Sequence, residues 1–300
     1  MNILQLQKVC KTFENYQANK EISFNVPAGS IFGVLGPNGA GKTTMIRIIT
    51  NIIGADSGTI LFNGEPLQSK HQEEIGYMPE ERGLYKKMAV GEHLIYLARL
   101  KNLSTKEAKS KIHYWVQKFE IETWWNKKIE ELSKGMQQKV QFIATILHDP
   151  KLLILDEPFS GLDPLNSQII QQEIFGLQKK GTTILFSTHR MEQVEEICEE
   201  IVLINKGQNI LQGKVHDIKQ QFKENIFRID FYGELNELAL ENIQVVEKNA
   251  DHFIFKLHEN ETANEVLSKM IQHNISINAF REILPSLNQI FIAQVSKTEK

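Results

Sequence analysis

The sequence predicts an α/β protein: a parallel sheet wrapped by helices, preceded by antiparallel strands and followed by a small α+β unit. Three observations predict it. Residues 30–35, apolar after Ser30, and the continuous apolar run 152–155 read as strands buried on both faces. Beyond residue 150, helical and strand patterns alternate, which calls for crossover connections on a parallel sheet. Near residue 215 the composition changes: residues 1–216 carry a net charge of +1 and residues 217–300 a net charge of −4, which together give the chain's −3.

In order, 3–8 and 22–26 alternate like half-buried strands, and Pro27-Ala28-Gly29 reads as a turn. The run 30–35 leads into Gly36-Pro37-Asn38-Gly39-Ala40-Gly41-Lys42-Thr43-Thr44. Met45, Ile46, Ile48, Ile49 and Ile52 then recur at helical spacing. Residues 90–148 are patterned as helix, with Trp115, Trp124 and Trp125 inside. A helix at 166–179, a strand at 183–187, a helix at 190–199 and a strand at 201–205 complete the series. The remainder reads as strand 226–232, helix 234–241, strands 243–248 and 252–257, helix 262–273, strand 275–283, Pro285 and a last helix. The expected domains are 1–215, with a helical subdomain at 90–148, and 216–300.

Composition excludes several classes. At 300 residues the chain can bury a core without metal or disulfide staples. It is not basic, so it is no electrostatic nucleic-acid binder. Cys10 and Cys198 are its two cysteines, far apart, which gives neither a disulfide framework nor a zinc cluster and fits a reducing compartment. The first residues lack a signal peptide's apolar stretch, and no run nears the roughly 18 apolar residues that span a bilayer. The expectation is a soluble chain that meets any membrane through a partner.

The spacing Gly36-x4-Gly41-Lys42-Thr43 is a phosphate-binding loop. Glycines let backbone N–H groups turn inward around phosphate oxygens, and the following helix adds its positive end. Lys42 reaches the β- and γ-phosphates and Thr43 offers a hydroxyl to Mg²⁺. Gly36, Asn38, Gly39, Ala40, Gly41, Lys42, Thr43 and Thr44 are the candidate phosphate-binding residues. The base-reading motif of a GTPase is not met, since Asn205-Lys206-Gly207-Gln208 lacks its Asp.

Further motifs narrow the chemistry. The run Leu152-Leu153-Ile154-Leu155 ends in Asp156-Glu157, placing one acid to hold Mg²⁺ and a second to deprotonate a water. Leu132-Ser133-Lys134-Gly135-Met136 opens a helix and offers a second anion site. His189 follows the strand at 183–187 and can face a terminal phosphate. Asp163, in Ser160-Gly161-Leu162-Asp163, also reads as a simple helix cap.

In this order the motifs resemble the ATP-binding subunits of ABC transporters, over residues 1–215. The pattern looks most like the bacterial sodium- and antibiotic-exporter type, and the tail resembles the small C-terminal domain appended there. The resemblance implies ATP and Mg²⁺ as ligands. It assigns Lys42, Thr43 and Thr44 to the phosphate loop, Thr43 and Asp156 to the metal, Glu157 as general base and His189 as the switch histidine. Asp163 becomes the D-loop acid, and Ser133 and Gly135 contact the nucleotide of the opposite subunit. Phe13 takes the adenine-stacking place, with Tyr16 a rival. Implied partners are a second copy or a similar subunit and separate transmembrane permease subunits, with no nucleic acid. The implied location is the inner face of the cell membrane, reached from the cytoplasm through the permease.

Three departures stand out. The family's signature usually reads Leu-Ser-Gly-Gly-Gln, which Lys134 and Met136 break. Lys139 stands where an Arg is usual. Glu80 replaces the usual Gln after Ile75-Gly76-Tyr77-Met78-Pro79; its carboxylate can still bind Mg²⁺ but adds negative charge beside the γ-phosphate. Two alternatives remain at this point: a soluble ATPase of this kind acting on ribosomes or DNA, and a low-activity regulatory subunit.

Overall fold

A long hairpin opens the chain: β1 (Asn2–Phe13) and β2 (Tyr16–Pro27) pair antiparallel. Register shifts interrupt the pairing, and Lys8 and Glu21 take a left-handed backbone. The bulges hide the alternation, which is why the sequence displays strands only at 3–8 and 22–26. With β4 (Ser57–Phe62) and β5 (Glu65–Pro66) the hairpin forms a four-stranded antiparallel sheet, order β2-β1-β4-β5.

The central sheet contains β3 (Ile31–Leu35), β6 (Ile75–Met78), β7 (Leu152–Asp156), β8 (Thr183–Thr188), β9 (Glu200–Asn205) and β10 (Gln208–Lys214). Its order is β10-β9-β3-β8-β7-β6. All neighbours are parallel except β10, which closes the edge antiparallel to β9. Every residue of β3, β7 and β8 is buried, so their apolar sequences are what a sheet covered on both faces requires. The order sets β3, β8 and β7 side by side, with Leu35 opposite Thr188 and Asp156 opposite Ser187. The loops leaving these three strands therefore emerge together, where open α/β sheets place their ligands.

The helices are α1 (Lys42–Ile49), α2 (Val90–Leu100), α3 (Thr105–Lys118), α4 (Lys134–Ile146), α5 (Pro164–Lys179) and α6 (Met191–Ile197). Ser104 and Glu107 form a capping box on α3. The helical pattern at 90–148 is not continuous. Trp124 ends a short 3₁₀ turn, Glu122–Trp124, and a second one, Ile129–Glu131, precedes α4.

The structure, a computed structural model, describes residues 1–81, 83–233, 243–258 and 261–298. They divide into two compact units, Met1–Val215 and His216–Lys300, with α7 (Val215–Gln221) at the boundary. In the second unit β11 (Ile226–Tyr232), β12 (Gln244–Lys248), β13 (His252–Lys256) and β14 (Ser276–Ile283) form an antiparallel sheet, order β12-β13-β11-β14. Val266 and Met270 of α8 (Ala263–Gln272) pack on Ile229, Phe231, Phe253 and Phe255 to give it a core of its own. A last helix, α9 (Leu287–Thr298), follows. The helix expected at 234–241 lies outside the described residues.

Candidate active site

The phosphate loop is held in place by its neighbours. Gly36 and Gly41 have φ of +152° and +105°. A Cβ on Gly36 would lie 2.1 Å from the Ile204 carbonyl oxygen, and one on Gly41 would lie 2.3 Å from that of Ala18. The Gly207 amide donates to the Ala40 carbonyl (2.9 Å), and the fully buried Asn19 donates through Nδ2 to the Gly41 carbonyl (3.1 Å). No side chain caps α1 and no acid stands in its first turn, which leaves its leading N–H groups to an anion.

Lys42 folds back over its own loop. Its Nζ donates to the Gly36 carbonyl (2.7 Å) and the Pro37 carbonyl (3.1 Å). Burial lowers its pKa below the ordinary lysine value, while the nearby carboxylates of Glu157, Asp156 and Glu80 pull the other way. A cation so placed can turn its charge onto phosphates without first shedding much water.

Asp156 ends β7. Its Oδ1 accepts from Ser187 Oγ (2.9 Å) and its Oδ2 from Thr43 Oγ1 (3.3 Å). Burial raises its pKa above the usual carboxylate range, and Glu157 and Glu80 add to the rise. Glu157, also buried, takes the left-handed backbone at φ +51°. The turn aims its carboxylate at the end of β8, where Oε2 accepts from Thr188 Oγ1 (3.0 Å). Oε1 accepts from the His189 amide (2.8 Å) and lies 2.6 Å from His189 Nδ1. A carboxylate only accepts, so Nδ1 carries the proton.

One cavity of about 490 Å³ gathers Asn38, Gly39, Ala40, Gly41, Lys42, Thr43, Thr44, Glu80, Asp156 and Glu157, with Tyr16 and Ala18. Tyr16 Oη also donates to the Gly39 carbonyl (3.1 Å). Phe13, opposite Tyr16 in the hairpin, is not among the lining residues; it lies under Lys11 Nζ at 5.5 Å and is 45% exposed. His189 reaches Glu157 from outside the lining.

Ser133, Gly135 and Asp163 line no part of this cavity. Ser133 is exposed and caps α4, accepting from the Met136 amide at 3.3 Å. Asp163 caps α5, accepting from the Asn166 amide at 2.9 Å. The Asn166 hydrogen bonds hold its carboxyl below the usual carboxylate range.

Sequence reasoning missed Ser187, Thr188 and Asn19, which orient the acids and the loop. The polar pair that ends β8, just before His189, is the signal that could have led to the first two.

The donor set suits Mg²⁺, a hard cation that takes oxygen ligands and is usually shared with substrate phosphates. The Thr43 hydroxyl and the Asp156 carboxylate adjoin, and Glu80 offers a further oxygen. Among the described residues no group of three or more His, Cys, Asp or Glu forms a metal site by itself.

Comparison with known proteins agrees with this geometry. The profile of the ABC transporter family matches residues 19–160. That of the C-terminal domain of DrrA1-3-like ATP-binding proteins matches residues 213–295. The chain is 42% identical to the ABC transporter ATP-binding protein YhaQ of Bacillus subtilis over 294 residues, 98% of each chain. It is 29% identical to the linearmycin resistance ATP-binding protein LnrL of the same organism, over 99% of each. A solved ATP-binding subunit of an ABC transporter superposes with a TM-score of 0.69 at 30% identity, covering 73% of this chain and 93% of that one. A phosphate loop, a paired-acid strand end and a histidine brought together on one sheet, in a chain with an end-to-end relative, place it among the ATP-binding subunits of ABC transporters, a family that hydrolyses ATP, with a DrrA-like C-terminal domain.

Proposed function

We propose that residues 1–215 bind Mg²⁺-ATP, pair head to tail with a second subunit around two nucleotides, and drive export through a separate membrane permease, with residues 216–300 as an accessory domain. One observation carries this. The cavity holds the loop, the acids and the base, whereas the exposed Ser133 and the half-buried Gly135, the remaining anion-binding candidates, lie outside it. The site is thus half of one that a second subunit completes. Export is supported by the likeness to LnrL, a linearmycin resistance protein.

Within the site, Lys42 and the α1 amides neutralise the phosphates, Thr43, Asp156 and Glu80 hold the metal, and Glu157 accepts a proton from the attacking water. Bound Mg²⁺ supplies charge neutralisation of the β- and γ-phosphates. ATP, reaching both surfaces, favours the paired state over the separate one, and its loss on hydrolysis reverses that preference.

Tyr16 is the better-placed aromatic for the adenine, since it lines the cavity and Phe13 does not. Tyr16→Ala is expected to weaken ATP binding about tenfold, the worth of one stacking contact, and Phe13→Ala to leave it within about twofold. Titration of each variant with ATP checks this.

Among the described residues no helix is long and apolar enough to cross a membrane. A groove of about 410 Å³ in the first unit offers a docking place for the permease. Ile52, Tyr77, Leu84, Leu97 and Leu100 line it, together with Pro79, the residue before Glu80. Ile52 and Leu100 are 59% and 60% exposed, unusual for aliphatic side chains that share one groove. The test is a chain carrying Leu97→Glu and Leu100→Glu, expressed with a multi-span membrane protein chosen from the neighbouring genes as candidate permease. Its own ATPase rate should stay within about twofold while co-purification is lost, since apolar anchors at a buried interface carry most of the binding. Retained co-purification would move the docking surface elsewhere.

A further inference from the structure

Two charges in this chain stand where elementary electrostatics disfavours them. Lys134 is the first residue of α4, where unpaired N–H groups and the macrodipole favour an anion, and no acid stands in that first turn. Glu80 lines the cavity that receives a triphosphate, beside Asp156 and Glu157. Locally unfavourable residues mark either strain or function.

The two face one space. A second cavity, of about 560 Å³, is lined by Glu80, Glu81, Lys86, Lys134, Gln137 and Ser160, among others. Among the described residues Glu80 alone lines both this cavity and that of the phosphate loop. Lys134 therefore borders the same cavity as Glu80 of its own subunit, between the exposed Ser133 and the half-buried Gly135.

We propose that Lys134 is a positioning residue that neutralises Glu80 of its own subunit, so that the two departures form one compensated charge pair. The pair ties the start of α4 to the acid beside the γ-phosphate. Lys86 and Glu81 share the cavity and set its background charge. The inference rests on the nucleotide site proposed above.

The test is a cycle of Glu80→Gln, Lys134→Gln and the double substitution in the full chain. Binding of ATP and of ADP is measured by competition with a fluorescent ATP analogue, in EDTA, at a dilution where light scattering shows monomer. An uncompensated Glu80 repels the γ-phosphate. Lys134→Gln should therefore weaken ATP binding two- to fivefold, the range of a solvent-exposed ion pair. It should leave ADP binding unchanged and have no effect in the Glu80→Gln background. Lys134→Arg should restore the affinity, and added salt should shrink the difference.

Three results overturn the pairing: unchanged ATP affinity in Lys134→Gln, which leaves that side chain a role in the partner's site only; an equal loss in both backgrounds; or coupling of Glu80 to Lys86→Gln instead. A wild-type chain that binds no ATP fails the nucleotide site itself, and is seen before any variant is measured.

Discussion

Glu157→Gln is expected to bind ATP, to hydrolyse it at least 10²-fold more slowly, and to accumulate as an ATP-bound dimer. A positioned general base contributes about 10²- to 10⁴-fold, and glutamine has no basic lone pair for the proton. Everything else about the position survives. The amide oxygen can still accept from the His189 amide, and the side chain keeps its length. Removing one of the three carboxylates around Lys42 also lowers the repulsion an incoming triphosphate meets. Binding therefore stays or improves while turnover stops, and gel filtration with ATP should show the dimer persist. Undiminished steady-state hydrolysis would remove Glu157 from the role of base.

Lys42→Ala and Ser133→Ala should each nearly abolish hydrolysis, and their mixture should recover part of it. Lys42→Ala takes the buried cation from the phosphates. Truncating one member of a buried charge pair costs about 2–5 kcal/mol, so ATP affinity should fall at least 30-fold. Ser133→Ala leaves that loop intact and damages the surface offered to the second subunit. In a mixture, about half the dimers carry one chain of each kind, and in those the intact loop of one meets the intact Ser133 of the other. Activity should return to about a quarter of the wild-type rate. A mixture as inactive as its components would exclude the head-to-tail arrangement.

How far the sequence could be read follows from where its pattern is simple. β3, β7 and β8 are wholly buried and show as plain apolar runs, and the phosphate loop and the acid pair stand at the ends of two of them. Other strands were less legible. β4, in Ser57–Phe62, is mostly exposed and starts beside Gly58 at φ +92°, so it offers neither alternation nor an apolar run. β10 (Gln208–Lys214) mixes polar and apolar residues because it closes an edge. Among site residues, the choice between Phe13 and Tyr16 depended on a hairpin whose register shifts no local pattern encodes. Asn19 was invisible for a related reason: one buried asparagine gains meaning only when the Gly41 carbonyl is folded against it.

The clamp on the phosphate loop has a genetic consequence. At Gly36 and Gly41 the room for a side chain is already taken by main-chain oxygens of Ile204 and Ala18, at 2.1 and 2.3 Å from where a Cβ would stand. Every missense change in a glycine codon, whatever the base altered, adds that carbon. In a population of cells selected for loss of this subunit, a single nucleotide change at either codon is thus expected to suffice. Such alleles should cluster there, and should make protein that still folds around its two cores.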